Sequence, residues 1–134
     1  MENTEIMFEW KTEYETGIDL IDLQHKKLFE IGRKGFELLN NYNDIDKQAI
    51  IVDIILELKK YTIYHFSTEE NYLRNINYKE FAKHINEHEE FIKKFNAIDL
   101  INDSKNQDSY LQEVVEFVYK WIDHHILSED LKYI

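Results

Sequence analysis

Histidines and acidic side chains recur in this sequence at a spacing that places them on one face of a helix. His84 and His88 are four residues apart, and His65 stands four residues before Glu69. Since an α-helix turns once in about 3.6 residues, each pair would stack on one face, close enough to hold one metal ion. Imidazole nitrogen and carboxylate oxygen are both common metal ligands. The two pairs therefore predict metal chemistry.

Further polar residues continue the apolar rows of the predicted helices. His25 and His125 lie in such rows, whereas His124 is turned about 100° from His125 and is expected on a helix flank. Asp130 would point about 140° away from His125 on an ideal helix, so it reaches the core only if the helix frays near its C-terminus. The predicted metal ligands are seven side chains: His25, His65, Glu69, His84, His88, His125 and Asp130.

A single histidine on an apolar face is usually an ordinary buried imidazole that is hydrogen-bonded to a carbonyl or a tyrosine. Seven such groups are a different case, because each unpaired buried polar group costs about 1–3 kcal/mol and a domain is stable by only about 5–15 kcal/mol. Seven ligands exceed what one octahedral ion can accept and suit two ions that share bridging carboxylates. Zinc, which favours about four ligands, fits less well than iron or manganese.

The elements that must position these residues are four amphipathic helices, predicted from apolar residues at three- and four-residue spacing. They cover residues 19–40, 45–73, 79–100 and 109–130. The chain has no proline and three glycines, so long helices can continue without interruption. Short polar connections make consecutive helices antiparallel neighbours. We predict one all-α domain over residues 1–134, an up-down-up-down four-helix bundle with an irregular N-terminal arm at residues 1–18.

The composition excludes several classes of function. The net charge is −11, from 16 basic and 27 acidic side chains, and it would repel nucleic acid or an anionic membrane. The chain has no cysteine, which rules out disulfides and thiolate metal sites and fits a reducing compartment. It also lacks a signal-peptide pattern and an apolar run of the ~18 residues that a membrane helix needs. We therefore expect a cytoplasmic protein that binds neither nucleic acid nor membranes.

A bundle with two metals could also follow the ferritin-like plan, which takes Glu-x-x-His from each of two helices and a further Glu from each of the others. No Glu-x-x-His occurs in this sequence, and the nearest match is Asp22-x-x-His25. The ferritin-like plan is therefore excluded.

The order and spacing of these motifs resemble the hemerythrin family, specifically its single-domain bacterial type. The resemblance begins at Trp10 and extends over nearly the whole chain, through GIDLIDLQH (17–25), HFSTEE (65–70), HINEH (84–88) and HILSED (125–130). One departure is Leu73, since the family commonly has Met after the Glu-Glu pair. This apolar exchange of similar volume affects packing rather than ligation.

The resemblance implies a non-heme centre of two iron ions joined by an oxo or hydroxo bridge. One iron would be bound by His84, His88 and His125. The other would be bound by His25 and His65, and Glu69 and Asp130 would bridge both. The iron with two histidines would keep an open position at which O2 is the ligand. Asp22 and Glu70 match family positions that are not ligands.

Apolar side chains one residue or one turn from the ligands would keep that open position dry, which limits irreversible oxidation. The predicted O2 pocket consists of Leu28, Phe66, Trp121, Ile122 and Ile126. The main hypothesis is reversible O2 binding for carriage, storage or delivery, with no catalytic residue. One alternative is a di-iron redox enzyme that reduces peroxide or nitric oxide or oxidises ferrous iron. Another is an O2 sensor that acts through a partner. An O2-consuming enzyme, a reductase and further copies of the chain are possible partners.

Overall fold

The protein is an all-α structure in which four helices surround one core. The computed structural model describes residues 8–41, 48–100 and 107–133. Its helices are α1 (Asp19–Asn41), α2 (Gln48–Asn75), α3 (Phe81–Leu100) and α4 (Gln107–Ser128). Both α1 and α3 pack against α2 and α4, and the described ranges contain no strand. The predicted four-helix bundle is confirmed.

The helix boundaries differ from the predicted ones by a few residues. The predicted start of the second helix at residue 45 lies outside the described residues, and α2 continues to Asn75. α4 ends at Ser128, two residues before the predicted end, and a 3-10 segment, Asp130–Tyr133, follows it. The Ser128 hydroxyl donates to the carbonyl of His124 at 2.7 Å, and a 3-10 turn is a common way to close a helix C-terminus.

The described part of the N-terminal arm, residues 8–18, is attached to the bundle at both ends. The buried ring of Phe8 lies directly on Gly32 of α1, where a Cβ atom would come within 2.4 Å of the ring. The hydroxyl of Tyr14 donates to Asp123 of α4. Asp22 accepts hydrogen bonds from the backbone N–H of Thr16 at 2.9 Å and of Gly17 at 3.1 Å. The arm is thereby fixed against α1 and α4.

The connection between α2 and α3 is a tight helix C-cap. The N–H of Tyr78 donates to the carbonyl of Leu73 at 3.0 Å, and the N–H of Asn77 donates to Arg74 at 3.1 Å. Asn77 has a φ of 54°, the left-handed conformation that this Schellman geometry requires. Because the connection is short, the end of α2 and the start of α3 lie side by side, and their polar residues meet.

Within the described ranges, none of the helices combines the length and the hydropathy that crossing a lipid bilayer would require.

Candidate metal centre

All seven predicted ligand residues meet at one end of the bundle, and we call them the ligand cluster. In an antiparallel bundle the starts of α1 and α3 share one end with the ends of α2 and α4, so His25 and His84 meet His65 and His125 there. Every member of the cluster is buried, with at most 3% of its surface exposed. The cluster divides into two groups that share a carboxylate.

The three-histidine group consists of Glu69, His84, His88 and His125. The Oε1 atom of Glu69 is 2.9 Å from Nε2 of His88 and 3.2 Å from Nε2 of His84. The Nε2 atoms of His84 and His125 are 3.3 Å apart. Three imidazoles thus direct their Nε2 atoms toward one small volume.

The two-histidine group consists of His25, His65, Glu69 and Asp130. Nε2 of His25 is 3.1 Å from Oδ2 of Asp130, and Nε2 of His65 is 4.0 Å from Oε1 of Glu69. The rings of His25 and His65 meet edge to face with their centroids 4.6 Å apart. This group therefore has one histidine fewer than its neighbour.

Asp130 lies between the two groups and offers one oxygen to each. Its Oδ2 atom faces His25, while its Oδ1 atom is 3.1 Å from Nε2 of both His84 and His125. The carboxylate reaches the core because α4 has ended and the chain has tightened into the 3-10 segment. On a continued α-helix it would have pointed elsewhere. Glu69 is the residue that both groups share, so two carboxylates lie where two ions could share them.

The donor atoms fit metal ions better than they fit hydrogen bonds to one another. Among the described residues, the two carboxylate oxygens of Asp130 and the Nε2 atom of His88 have no hydrogen-bond partner. The imidazole nitrogens and carboxylate oxygens of the cluster nevertheless approach one another to about 3 Å. Atoms bound at about 2.1 Å and at right angles around one metal would be about 3 Å apart. The cluster has the atom types, the burial and the spacing of a two-metal centre.

The charges of the cluster also favour a cation. Burial raises the pKa of Glu69, but contacts with His84 and His88 outweigh it and lower the pKa to about 2. Burial also raises the pKa of Asp130, but the surrounding imidazoles outweigh this effect and hold the pKa well below its usual range. Burial and then His25 lower the pKa of His65 to about 3, so this imidazole is neutral and has a free lone pair. Two buried carboxylate anions therefore lie in the same cluster as the neutral imidazole of His65.

The pKa of His84 moves in the opposite direction. Burial lowers it, but contacts with the carboxylates of Asp130 and Glu69 outweigh this effect and raise the pKa to about 10. Its Nε2 atom lies between those two carboxylates, at 3.1 Å and 3.2 Å. A metal ion at this position would take over the role of that proton and neutralise the same two anions.

Comparison with known proteins identifies the family. The profile described as "Hemerythrin HHE cation binding domain" matches residues 16–134. The bacteriohemerythrin of Clostridium acetobutylicum is 51% identical over 96% of this chain and 99% of its own length. The bacteriohemerythrin of Pseudomonas paraeruginosa is 29% identical, covering 93% of this chain and 78% of its own length. Hemerythrin subunit alpha of Lingula reevii is 28% identical, covering 94% of this chain and 92% of its own length.

The chain belongs to the hemerythrin family. Its fold is the one expected from the sequence resemblance, and its buried cluster of histidines and carboxylates could hold metal ions, in agreement with the oxygen-binding, di-iron class of this family.

Outer hydrogen bonds orient three of the histidines in this hemerythrin chain. The pairs are His65 Nδ1 with Gln24 Oε1 at 2.8 Å, His88 Nδ1 with Glu70 Oε2 at 2.9 Å, and His125 Nδ1 with Glu87 Oε1 at 2.9 Å. In each pair Nδ1 carries the hydrogen, so Nε2 is free to bind a metal.

This outer layer was not predicted from the sequence. From the sequence, Glu70 was identified only as a family position that is not a ligand, and Gln24 and Glu87 were not singled out. Each of these three residues directly precedes or follows a predicted ligand in the sequence, and this position is the feature that could have identified it. A residue one position from the core face points along the flank of its helix, where it can reach a ligand on the neighbouring helix.

A small cavity adjoins the cluster and is lined by all five residues of the predicted O2 pocket. They are Leu28, Phe66, Trp121, Ile122 and Ile126, and the polar part of the wall is formed by His25, His65, His125 and Asp130. The cavity has room for roughly one molecule of the size of water. Both histidines of the two-histidine group thus face this small, mostly apolar space. His124 is exposed and lies outside both groups.

Proposed function

We propose that this protein binds O2 reversibly at a centre of two iron ions, for carriage, storage or delivery. The observation that supports the proposal is that the two groups of the ligand cluster contain three and two histidines, and that a cavity adjoins the cluster. An ion in the three-histidine group would have one more histidine ligand than an ion in the two-histidine group, so the open coordination position would fall to the two-histidine group. Both histidines of that group line the cavity.

The proposed ligand set is the whole ligand cluster. His84, His88 and His125 would bind one iron. His25 and His65 would bind the other. Glu69 and Asp130 would bridge the two, since each carboxylate lies close to nitrogen atoms of both groups. When bound, the two ferrous ions supply the electrons that O2 binding requires and recover them when O2 leaves.

The protein's own residues have two tasks in this function. Phe66 stacks on His88 with a centroid distance of 3.8 Å, and Trp121 stacks on His125 at 4.3 Å, so these imidazoles cannot turn away from the centre. Leu28, Ile122 and Ile126 form the apolar cavity wall and keep out water and protons. A dry, rigid site favours the release of O2 over permanent oxidation of the iron.

We further propose a binding role rather than an enzymatic one. The cavity holds roughly one water-sized molecule, which suits a diatomic ligand and leaves little room for a second substrate. Delivery to an O2-consuming enzyme, renewal by a reductase, assembly into an oligomer and residence in the cytoplasm are predictions that accompany this role. The alternatives are a di-iron enzyme that turns over peroxide, nitric oxide or ferrous iron, and a sensor that acts through a partner.

The first test measures iron content together with the visible spectrum through dithionite reduction, exposure to air and flushing with argon. We expect two iron ions per chain, one for each ligand group, and a charge-transfer band that appears in air and fades under argon. If air converts the iron permanently to the ferric form, reversible binding is excluded. Steady turnover of peroxide or nitric oxide with an electron donor would then establish the enzymatic role.

A further inference from the structure

A directional chain of hydrogen bonds leads from the backbone of α2 to the two-histidine group. The hydroxyl of Thr68 donates to the carbonyl of Tyr64 at 3.2 Å. Nε2 of Gln24 donates to Oγ1 of Thr68 at 3.2 Å, and Oε1 of Gln24 lies 2.8 Å from Nδ1 of His65. A backbone carbonyl can only accept, so it sets the direction of every bond in the chain. Nδ1 of His65 must be the donor, and its Nε2 lone pair faces the cluster.

Gln24 is buried, with 2% of its surface exposed, and it is the one neutral acceptor among the outer hydrogen bonds that the described residues make to ligand histidines. In the three-histidine group, His88 and His125 each contact a carboxylate. In the two-histidine group, His65 contacts an amide, and Nδ1 of His25 has no hydrogen-bond partner among the described residues. Among these three outer hydrogen bonds, both carboxylates therefore lie on the three-histidine side of the centre.

This asymmetry has an electronic consequence. A carboxylate that accepts the Nδ1 hydrogen makes an imidazole a stronger electron donor to its metal, which favours the higher oxidation state. An amide accepts the same hydrogen with the same geometry but without the negative charge. His25 and His65 thus lack the outer carboxylate that makes His88 and His125 stronger electron donors.

We propose that Gln24 is a positioning residue that holds His65 in its Nδ1–H form with a neutral acceptor and thereby favours the ferrous state of the iron in the two-histidine group. This inference rests on the proposed function, in which that iron receives O2 and must be ferrous again when O2 leaves. A carboxylate at the same place would favour the ferric state and turn release of O2 into permanent oxidation.

The decisive experiment exchanges amide and carboxylate on each side of the centre of the iron-loaded protein. Gln24→Glu adds a carboxylate to the two-histidine group, and Glu70→Gln removes one from the three-histidine group. Gln112→Glu adds the same charge on an exposed part of α4 and is the control. The measurements are iron content, the midpoint potential of the diferrous protein by spectroelectrochemistry, and the rate of permanent oxidation in air.

We expect Gln24→Glu to lower the midpoint potential and to speed oxidation in air about tenfold. Glu70→Gln should raise the potential, and Gln112→Glu should leave both quantities unchanged. If Gln24→Glu keeps two irons but has the midpoint potential and oxidation rate of the wild-type protein, the inference is wrong. If the wild-type protein itself lacks two irons or does not release O2, the proposed function is wrong.

A second variant covers the case in which Gln24→Glu does not fold. Thr68→Val preserves the shape of a partly exposed side chain and removes the acceptor that orients the Gln24 amide. Once the amide can turn, its NH2 group competes for His65, and we expect one of the two irons to pass to a chelator about tenfold faster. Unchanged release of both irons would show that Gln24 does not position His65.

Discussion

Each ligand histidine is fixed by contacts on more than one side of its ring. In the case of His88, Nε2 faces Glu69, Nδ1 contacts Glu70 at 2.9 Å, and the ring face stacks on Phe66 with an interplanar angle of 4°. His125 has the same kind of support from Glu87 and Trp121. A side chain held in this way loses little further entropy when a metal binds, so the donor geometry is set before the ligand arrives.

Shortening the cavity wall should speed oxidation of the iron. Leu28→Ala and Ile122→Ala each remove apolar volume from a buried wall residue and admit water to the open position, so we expect permanent oxidation in air about tenfold faster or more. Leu127→Ala is the control, because that side chain is exposed on the same helix. The decay of the visible band in air measures the rate. Unchanged rates in both wall variants would remove these residues from the pocket.

The two adjacent histidines on α4 should differ completely in their effect on iron binding. His125 is 3% exposed with both ring nitrogens engaged, whereas His124 is an exposed residue outside both groups. His124→Ala should keep two irons per chain, and His125→Ala should lose at least the iron of the three-histidine group. Metal analysis of the purified variants measures this directly. Loss of iron in His124→Ala alone would mean that the other member of the pair is the ligand.

At the scale of the helices, the C-cap between α2 and α3 determines how Glu69 and His84 meet. Asn77→Val should destabilise the protein by about 1–2 kcal/mol, because a β-branched residue is strained at a φ of 54°. Asn77→Gly, which adopts this conformation freely, is the matched control and should cost nothing. Urea unfolding of the iron-loaded protein measures both. Equal stability of the two variants would contradict the role of the left-handed residue.

The contact between the arm and α1 depends on the absence of a side chain at Gly32. Gly32→Ala would place a Cβ atom 2.4 Å from the Phe8 ring, and we expect a loss of about 1–3 kcal/mol through overpacking. In a Phe8→Ala background the same change should be harmless or stabilising by up to about 1 kcal/mol, since Ala is the better helix former. A double-mutant cycle by urea unfolding gives the coupling. Additive effects would show that the ring does not rest on Gly32.

For the whole molecule, the cluster couples metal binding to the stability of the fold. Seven buried polar groups converge at one end of a bundle whose other buried residues are mostly apolar, and a metal that binds only the folded chain stabilises it. We expect removal of iron by a chelator to lower the Tm by about 10 °C or more, and ferrous iron added under argon to restore it. Circular dichroism follows the transition, and magnesium, a poor partner for imidazole, is the control. An unchanged Tm would contradict the coupling.

Much of this protein could be predicted from sequence because the relevant information is local. The spacing of apolar residues along each helix predicts its buried face, and His65, Glu69, His84 and His88 fall on those faces by simple helical periodicity. Four such helices with short connections leave few arrangements other than an antiparallel bundle. The hemerythrin family followed from the order and spacing of the same residues.

Only the tertiary structure decided the rest. Asp130 joins the cluster because α4 ends at Ser128 and tightens into a 3-10 segment, which helical periodicity does not encode. The pairing of Gln24 with His65 and of Glu87 with His125 joins different helices, and the contact of Phe8 with Gly32 joins the N-terminal arm to α1. Such contacts depend on the separation and rotation of packed helices. Periodicity within one helix determines which face is buried, but the atoms that meet across an interface are determined only when the helices have packed.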